Sequence, residues 1–391
     1  MSKDPDKENI PDYEKPKHDP AEDETVPVTE SPGNAAFLDI AEEEKKVASV
    51  SILKKRWKKF KTLKRGYYSF VIILIAYGIS FILPFLVNKD ALIVHYEGDY
   101  FFPVFSYHAS SVFGMDTPGE ANYRLLKKKF AEEDNDNWVL MPLYPYSPNE
   151  NLLDELPGTP PHSPSWEHFC GTDNRGRDVF SRLLYGFNIS LSFALVVSAF
   201  SYLFGVLIGA ILGYYGGKID IIGQRFIEIW STLPFLYVII IISSIAQPNF
   251  ILLTFILTIF GWIGITYYIR GEFYREKARE YVSAAVSMGA KNKTIILKHI
   301  LPNSLTPIIS FLPFVIVANI ISLVSLDYLG FGLPPPTPSW GELMNQGLSD
   351  INKWWLLMTP LAASFLTLLA IVFIGEAVRE AFDPKIYSRL R

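Results

Sequence analysis

Hydrophobic positions along this chain gather into long runs, separated by polar stretches of very unequal length. Six runs read as helices that cross a bilayer: Tyr67–Val87, Ile189–Tyr215, Ile229–Ile245, Phe250–Ile269, Pro307–Leu326 and Trp355–Ile374. Each is near the ~20 apolar residues that a helix needs to cross a hydrocarbon core of about 30 Å. Gly205, Gly209 and Gly213 recur every fourth residue in the second run, a stripe that lets another helix come close. Pro234 falls in the segment leading through the third run, and Pro313 breaks the fifth.

The polar stretch between the fourth and fifth runs, Arg270–Asn303, interrupts an otherwise apolar second half. Its pattern predicts two short helices. The first covers Glu272 to Met288, with Tyr281, Ala284, Ala285 and Met288 at i, i+3, i+4 and i+7 on one face. Gly289 follows, a residue that ends a helix in a left-handed turn at no steric cost. The second runs to Leu301 and is expected to stop at Pro302. Periodicity leaves two readings open: a small-residue face for another protein's backbone, or an amphipathic helix lying on lipid.

The remaining polar segments divide the chain. Residues 1–53 are acidic and rich in Pro and Lys, which predicts a disordered tail, with no cleavable signal peptide at the start. Basic residues from Lys54 to Arg65 then crowd against the first apolar run, so 54–87 reads as a basic flank and first span with a cytoplasmic N-terminus. The segment 88–170 reads as an extracytoplasmic insert. Leu92–Phe105 has the pattern of a β-hairpin turning at Glu97, Gly98 and Asp99, and Trp138–Pro164 that of irregular chain. In Gly171–Gly186, Asp178 is placed to cap a helix whose apolar face, from Val179 to Phe187, would lie on the outer leaflet. The acids and arginines there are assigned to turn, cap and surface roles. Asp327–Gly347 is rich in Pro and Gly and reads as an outside, partly re-entrant loop, with Trp340, Trp354 and Trp355 at headgroup level.

Composition narrows the chemistry. The chain has 391 residues, a net charge of −4 and one cysteine, Cys170, so no internal disulfide can form. The six predicted spans hold no Asp, Glu, Lys, Arg or His, which speaks against an ion-coupled pump or an intramembrane enzyme. No phosphate-binding GxxxxGK[ST] loop is present, and no histidines have metal-binding helical spacing. Nothing points to a catalytic residue, a cofactor, a metal or nucleic acid, since the basic runs sit beside spans. A helix bundle without an engine takes its energy from elsewhere, and Arg270–Asn303 is where force can enter.

These residues carry a resemblance. Ser283, Ala284 and Ala285, then Gly289, then Leu301 and Pro302, have the spacing of the "EAA" coupling loop of ABC importer permeases. Ser283 replaces the usual acid, His299 the usual aliphatic residue, and Glu280-Tyr281 matches the peptide branch. GTDNRGRDVFSRLLYG, the loop after Asp327 and GEAVREAFDP are similar to further signatures of the dipeptide, oligopeptide and nickel importers. The large insert and the endings resemble the microcin C and extended-peptide branch most.

The resemblance implies an all-α polytopic protein of the type I importer fold, with six transmembrane helices and a small β-containing insert. Residues 171–391 would form the permease core. It also implies a bacterial inner-membrane permease with both termini cytoplasmic, importing peptides. The partners would be a second related permease subunit, two ATPase subunits and an extracytoplasmic peptide-binding protein. Tyr281, Ser283, Ala284, Ala285, Met288, Gly289, Leu301 and Pro302 would couple to the ATPase. Asp327, Gly330, Gly332, Pro336 and Trp340 would help close an outer gate. The alternatives are a nickel or other small-solute importer, an ion-coupled transporter and a non-transporting scaffold.

Overall fold

The computed structural model describes residues 52–133 and 136–383; the expected acidic tail lies almost wholly outside them, as does the chain after 383. From Arg56 onward the chain forms one compact unit. Helix α1 (Ile52–Thr62) holds the basic run, and α2 (Lys64–Ser80) most of the first apolar run. Pro84 then intervenes. It has no N–H, and its ring would meet the carbonyl of Ser80 if the helix went on, so a separate turn, α3 (Leu83–Leu86), follows.

The insert comes next. Strand β1 (Ile93–Tyr96) pairs antiparallel with both β2 (Asp99–Phe101) and β3 (Trp138–Leu140), in the order β2-β1-β3. The expected hairpin forms. Both of its turn residues, Glu97 and Gly98, have positive φ, the conformation that matches the twist of paired strands. The third strand is a correction: β3 falls in the stretch read as irregular, because Val139 fills the same core as Val94, Phe113 and Leu126. Helix α4 (Tyr123–Glu133) covers that core with Tyr123, Leu126 and Phe130. On its flank Arg124 holds Glu150 at 2.7 Å and Glu155 at 2.6 Å.

Five further helices make most of the bundle: α5 (Val179–Tyr215), α6 (Gly217–Ser231), α7 (Phe235–Ile245), α8 (Phe250–Lys277) and the last helix among the described residues, Trp354–Phe382. The separate interfacial helix expected at Val179–Phe187 is not separate. Asp178 does cap it, accepting from Ser181 N–H at 2.8 Å, but it runs straight into the second apolar run as 37 residues of α5. Its outer turns are covered by protein: Val179, Ser181 and Arg182 are all buried.

The glycine stripe of α5 seats α8. A Cβ on Gly209 would lie 2.8 Å from the carbonyl oxygen of Thr266, and one on Gly213 would lie 2.8 Å from that of Arg270. Real Cβ atoms do not approach so closely, so alanines would push the helices apart. Among the described residues, α5, α8 and Trp354–Phe382 are each long and apolar enough to cross a membrane. The pair α6 and α7, bent by 67° around Thr232–Pro234, makes a fourth if counted as one broken span.

Candidate functional site

Two groups of residues gather at the two ends of α8, which is about 42 Å long at 1.5 Å per residue. The first is Arg270–Asn303, the segment expected to couple. The helix expected from Glu272 to Met288 is in fact two. α8 continues to Lys277, the chain breaks at Ala278 and the extended Arg279, and α9 (Glu280–Ser287) begins in a new direction. The reason is burial on both sides of the break: Phe273 belongs to α8's packing on α5, while Val282 turns into the same core from α9.

α9 ends as its glycine requires. Gly289 has φ +77°; its N–H reaches the carbonyl of Val286 at 2.9 Å, and Ala290 N–H reaches that of Ala285 at 3.1 Å. This is the paired closure of a Schellman motif. After it come α10 (Asn292–Thr294), a π-helical turn (Ile295–Ile300) and α11 (Leu301–Ile309). Pro302 therefore does not stop a helix. It sits in the first turn of α11, where the widened π turn before it removes the need for its missing N–H. α12 (Leu312–Tyr328) follows a break at Ser310 and Phe311, with Pro313 in its first turn.

The predicted face of α9 divides. Ala285 is buried beside Val282, whereas Tyr281, Ser283, Ala284 and Met288 are exposed, Met288 by 81%. Leu301 packs partly on the inner core and Pro302 is exposed. The fixings of this segment were not legible in the sequence. Tyr281 Oη donates to Glu276 at 2.8 Å and lies 3.2 Å from the carbonyl of His299, and Asn303 Nδ2 donates to Tyr281 at 3.0 Å. One phenol thus joins α8, the π turn and α11. Lys277 Nζ donates to the carbonyl of Tyr214 at 2.5 Å, and Tyr214 Oη to Asn292 Oδ1 at 2.8 Å, so the end of α5 holds both flanks of α9. Asp220 of α6 accepts two bonds from Arg270 and one from Tyr274 at 2.7 Å.

The second group surrounds the loop after α12. Asp327 is buried; its Oδ1 accepts from Leu333 N–H at 2.7 Å and its Oδ2 from Ser339 Oγ at 2.6 Å. Gly330, φ +82°, closes α12 with the same motif as Gly289: its N–H reaches Asp327 O at 3.1 Å and Phe331 N–H reaches Leu326 O at 2.9 Å. Gly332 has no room for a side chain, since a Cβ would sit 1.8 Å from Asp327 Oδ1. Ser339 then caps α13 (Trp340–Ser349), accepting from Glu342 N–H at 3.2 Å. A cavity of about 440 Å³ opens here between Asp327, Gly332, Glu342, Asn345, Asn174 and Arg175.

Two expectations about this group are corrected. Trp340 is not at a headgroup surface: it is 1% exposed, lies over Gly186 and donates from Nε1 to Leu183 O at 3.0 Å. Trp355 is buried too and donates to Thr172 O at 3.2 Å; only Trp354 is exposed. Two of the three arginines of GTDNRGRDVFSR, Arg177 and Arg182, are not on the surface either, whereas Arg175 is exposed. Arg177 binds Asp173 at 2.6 Å and Glu342 at 2.9 Å. Arg182, with no exposed surface, binds Glu342 at 2.6 Å, Pro148 O at 2.9 Å, Pro336 O at 3.3 Å and Thr337 O at 3.2 Å. Burial alone would lower the Arg177 guanidinium, but Asp173 and Glu342 outweigh it and hold it above its usual value. The start of α5, the proline loop and α13 are thereby fastened into one plug. The hint in the sequence was a dense run of charge directly before an apolar helix.

Asp178 anchors the insert to this plug. Its Oδ2 accepts from Tyr144 Oη and faces His168 Nδ1, both at 2.8 Å. Burial, then the Asp178 charge, push the Tyr144 phenol well up, so it stays a donor at any physiological pH. Burial also raises the Cys170 thiol to about 11, which keeps it protonated and unreactive. No group of three or more metal-ligating side chains occurs among the described residues.

Comparison with known proteins gives concordant matches. Residues 205–387 match the family described as "Binding-protein-dependent transport system inner membrane component". The inner membrane ABC transporter permease protein YejE of Escherichia coli is 41% identical over 332 residues, covering 84% of this chain and 96% of that protein. The peptidoglycan transport system permease protein YejE of Agrobacterium fabrum is 38% identical over 358 residues, covering 85% and 93%. The dipeptide transport system permease protein DppC of Bacillus subtilis is 38% identical over 225 residues, covering 57% and 70%.

Proposed function

We infer that this chain, which belongs to the family of binding-protein-dependent transport system inner membrane components, is a permease subunit that imports peptides. As a member it is the non-catalytic, multi-pass component of an ABC transporter in the inner membrane. The peptide reading draws on relatives whose names assign them dipeptide and peptidoglycan transport. In this reading α2 with α3, and α11 with α12, serve as proline-broken spans that bring the total to six. A second permease subunit, two ATPase subunits and an extracytoplasmic peptide-binding protein complete the assembly.

The observation that carries the coupling role is the construction of α9. Its exposed side holds the small Ser283 and Ala284 and the flexible Met288, which let another backbone approach, together with the apolar Val286. Its buried side and both its ends are bonded to α5, α8 and α11 through Tyr214, Lys277, Tyr281 and Asn303. An ATPase docked on the exposed side would move α9 as a rigid piece. The Tyr281–Asn303 bond passes that displacement to α11 and, through the break at Ser310, to α12. At the far end of α12, Asp327 holds the proline loop, so motion at α9 and closure of the outer loop are linked through one helix. Alternating access follows when ATP binding favours one of two nearly balanced states.

The test is transport by the complex reconstituted with its ATPases and binding protein. Gly289→Val forces a β-branched residue to φ +77° and tilts α9 on its stalk. We expect ATP hydrolysis to continue while peptide uptake is lost. Normal uptake in that variant, or uptake that follows an ion gradient and ignores vanadate, would overturn the reading.

A further inference from the structure

The insert carries an apolar edge that no core explains. Phe105 is 75% exposed and Leu143 is 89% exposed, and Phe169 is exposed as well. These residues come from three separate segments of the insert, yet each is tied to the outer end of the first apolar run. The Phe105 ring lies 5.7 Å from that of Phe85 in α3. Leu143 precedes Tyr144, whose N–H donates to Leu86 O at 2.9 Å, while Asn88 N–H donates to Tyr144 O at 3.2 Å. The Phe169 ring stacks on Tyr144 at 5.3 Å.

The wall they continue is itself apolar and open. Phe81, Ile82 and Phe85 at the end of that run are exposed, as are Ile72 and Ile75 farther down α2. In an inner-membrane protein such a wall faces hydrocarbon or another subunit. Aromatic side chains collect where hydrocarbon meets headgroups, since their rings are apolar and their edges tolerate water. By contrast the other flank of the insert is charged: Lys127 and Lys128 of α4 are exposed, and Arg124 is occupied by Glu150 and Glu155.

We propose that the insert is a membrane-seated domain, with Phe105, Leu143 and Phe169 inserted into the outer leaflet of the bilayer beside Phe85. The occupant of this edge is lipid at the headgroup–acyl boundary. Lipid fits because Phe105 meets the exposed Phe85 of the apolar span, and because the three contributing segments are hydrogen-bonded or stacked where that span ends. Seating fixes the insert's height and tilt, so that its charged α4 flank points away from the membrane. This rests on the inner-membrane location and on the extracytoplasmic side read for the insert, and not on peptide as the cargo.

The experiment places a fluorophore in the full chain within the reconstituted complex, in vesicles of phosphatidylethanolamine and phosphatidylglycerol. Cys170→Ser removes the native thiol, and Phe105→Cys, Leu143→Cys and Lys128→Cys each receive the same environment-sensitive label. Lipids with a nitroxide near the headgroup should quench labels at 105 and 143 several-fold more than at 128, and aqueous iodide should show the reverse order. Equal quenching at all three positions would overturn the proposal, because the edge would then be in water. Protection of 105 and 143 from both quenchers would overturn it too, because a protein subunit would then cover them. Two labelled positions keep the result decisive if one variant fails to assemble.

Discussion

The segment proposed to couple and the proline-rich loop after α12 end their helices in the same way and then do opposite things. Gly289 and Gly330 close α9 and α12 with the same pair of backbone bonds. After Gly330 the chain is consumed by its own protein: Asp327, Ser339, Glu342, Arg177 and Arg182 satisfy one another in a buried network. Around Gly289 the bonds lie only on the inner side of α9, and Met288, Val286 and Ala284 are left facing out. Same closure, different accounting of polar groups: the plug pairs most of its buried polar groups internally, with Arg182 Nε left over, whereas α9, the docking element we propose, fixes its back and leaves its front exposed.

The sharpest way to break this comparison is within the plug. Arg182→Met removes one of two cations from a buried set and leaves Arg177 alone against Glu342 and Asp173. Losing one partner of a buried ion pair costs about 3–5 kcal/mol, so we expect thermal unfolding of the purified chain to fall by several degrees. An unchanged midpoint would show that the network is not what holds the loop. Restoring charge balance with Glu342→Gln in the same chain should recover part of the loss, as coupled neighbours do.

Gly332→Ala tests the same loop by crowding. Its Cβ would meet Asp327 Oδ1 at 1.8 Å, and overpacking of this kind costs roughly 1–3 kcal/mol. Differential scanning of that variant should show a smaller drop than Arg182→Met. Gly289→Ala should act otherwise. The position has open space, so only the positive φ is strained, costing about 1–2 kcal/mol, with uptake reduced more than stability. A drop in stability with uptake intact would reverse the assignment of the two regions.

Acid separates them further. Burial alone would raise the Glu155 carboxyl, but hydrogen bonds from Arg124 and Asn122 together hold it below its ordinary value of 4.5. A depressed folded value means that the stabilisation is complete above the unfolded value and is lost as pH falls through the folded one. The insert should therefore loosen below pH 4.5, read as faster amide exchange in α4, and Glu155→Gln should abolish that dependence. The smallest effect is expected at Ser283→Glu. The site is exposed, so stability should move by no more than ~0.5 kcal/mol, and any change should appear in coupling of ATP hydrolysis to transport.

Much of this protein was legible without coordinates where one physical rule dominated. Long apolar runs have few alternatives to membrane helices, the four-residue glycine spacing admits a close neighbour, and Gly289 ends its helix in a positive-φ turn that glycine adopts without strain. The hairpin at Glu97-Gly98 follows from local turn chemistry. What the tertiary structure decided were matters settled between distant segments. Pro302 reads as a stop, but a π turn ahead of it lets the chain continue as α11. Trp340 and Trp355 read as interfacial, yet backbone carbonyls at Leu183 and Thr172 accept their N–H groups inside the protein. Arg177 and Arg182 read as surface charges until Glu342, far along the chain, meets them. A polar side chain carries no mark of whether its partner will be water or another residue; only the packed chain supplies that partner, and burial then follows.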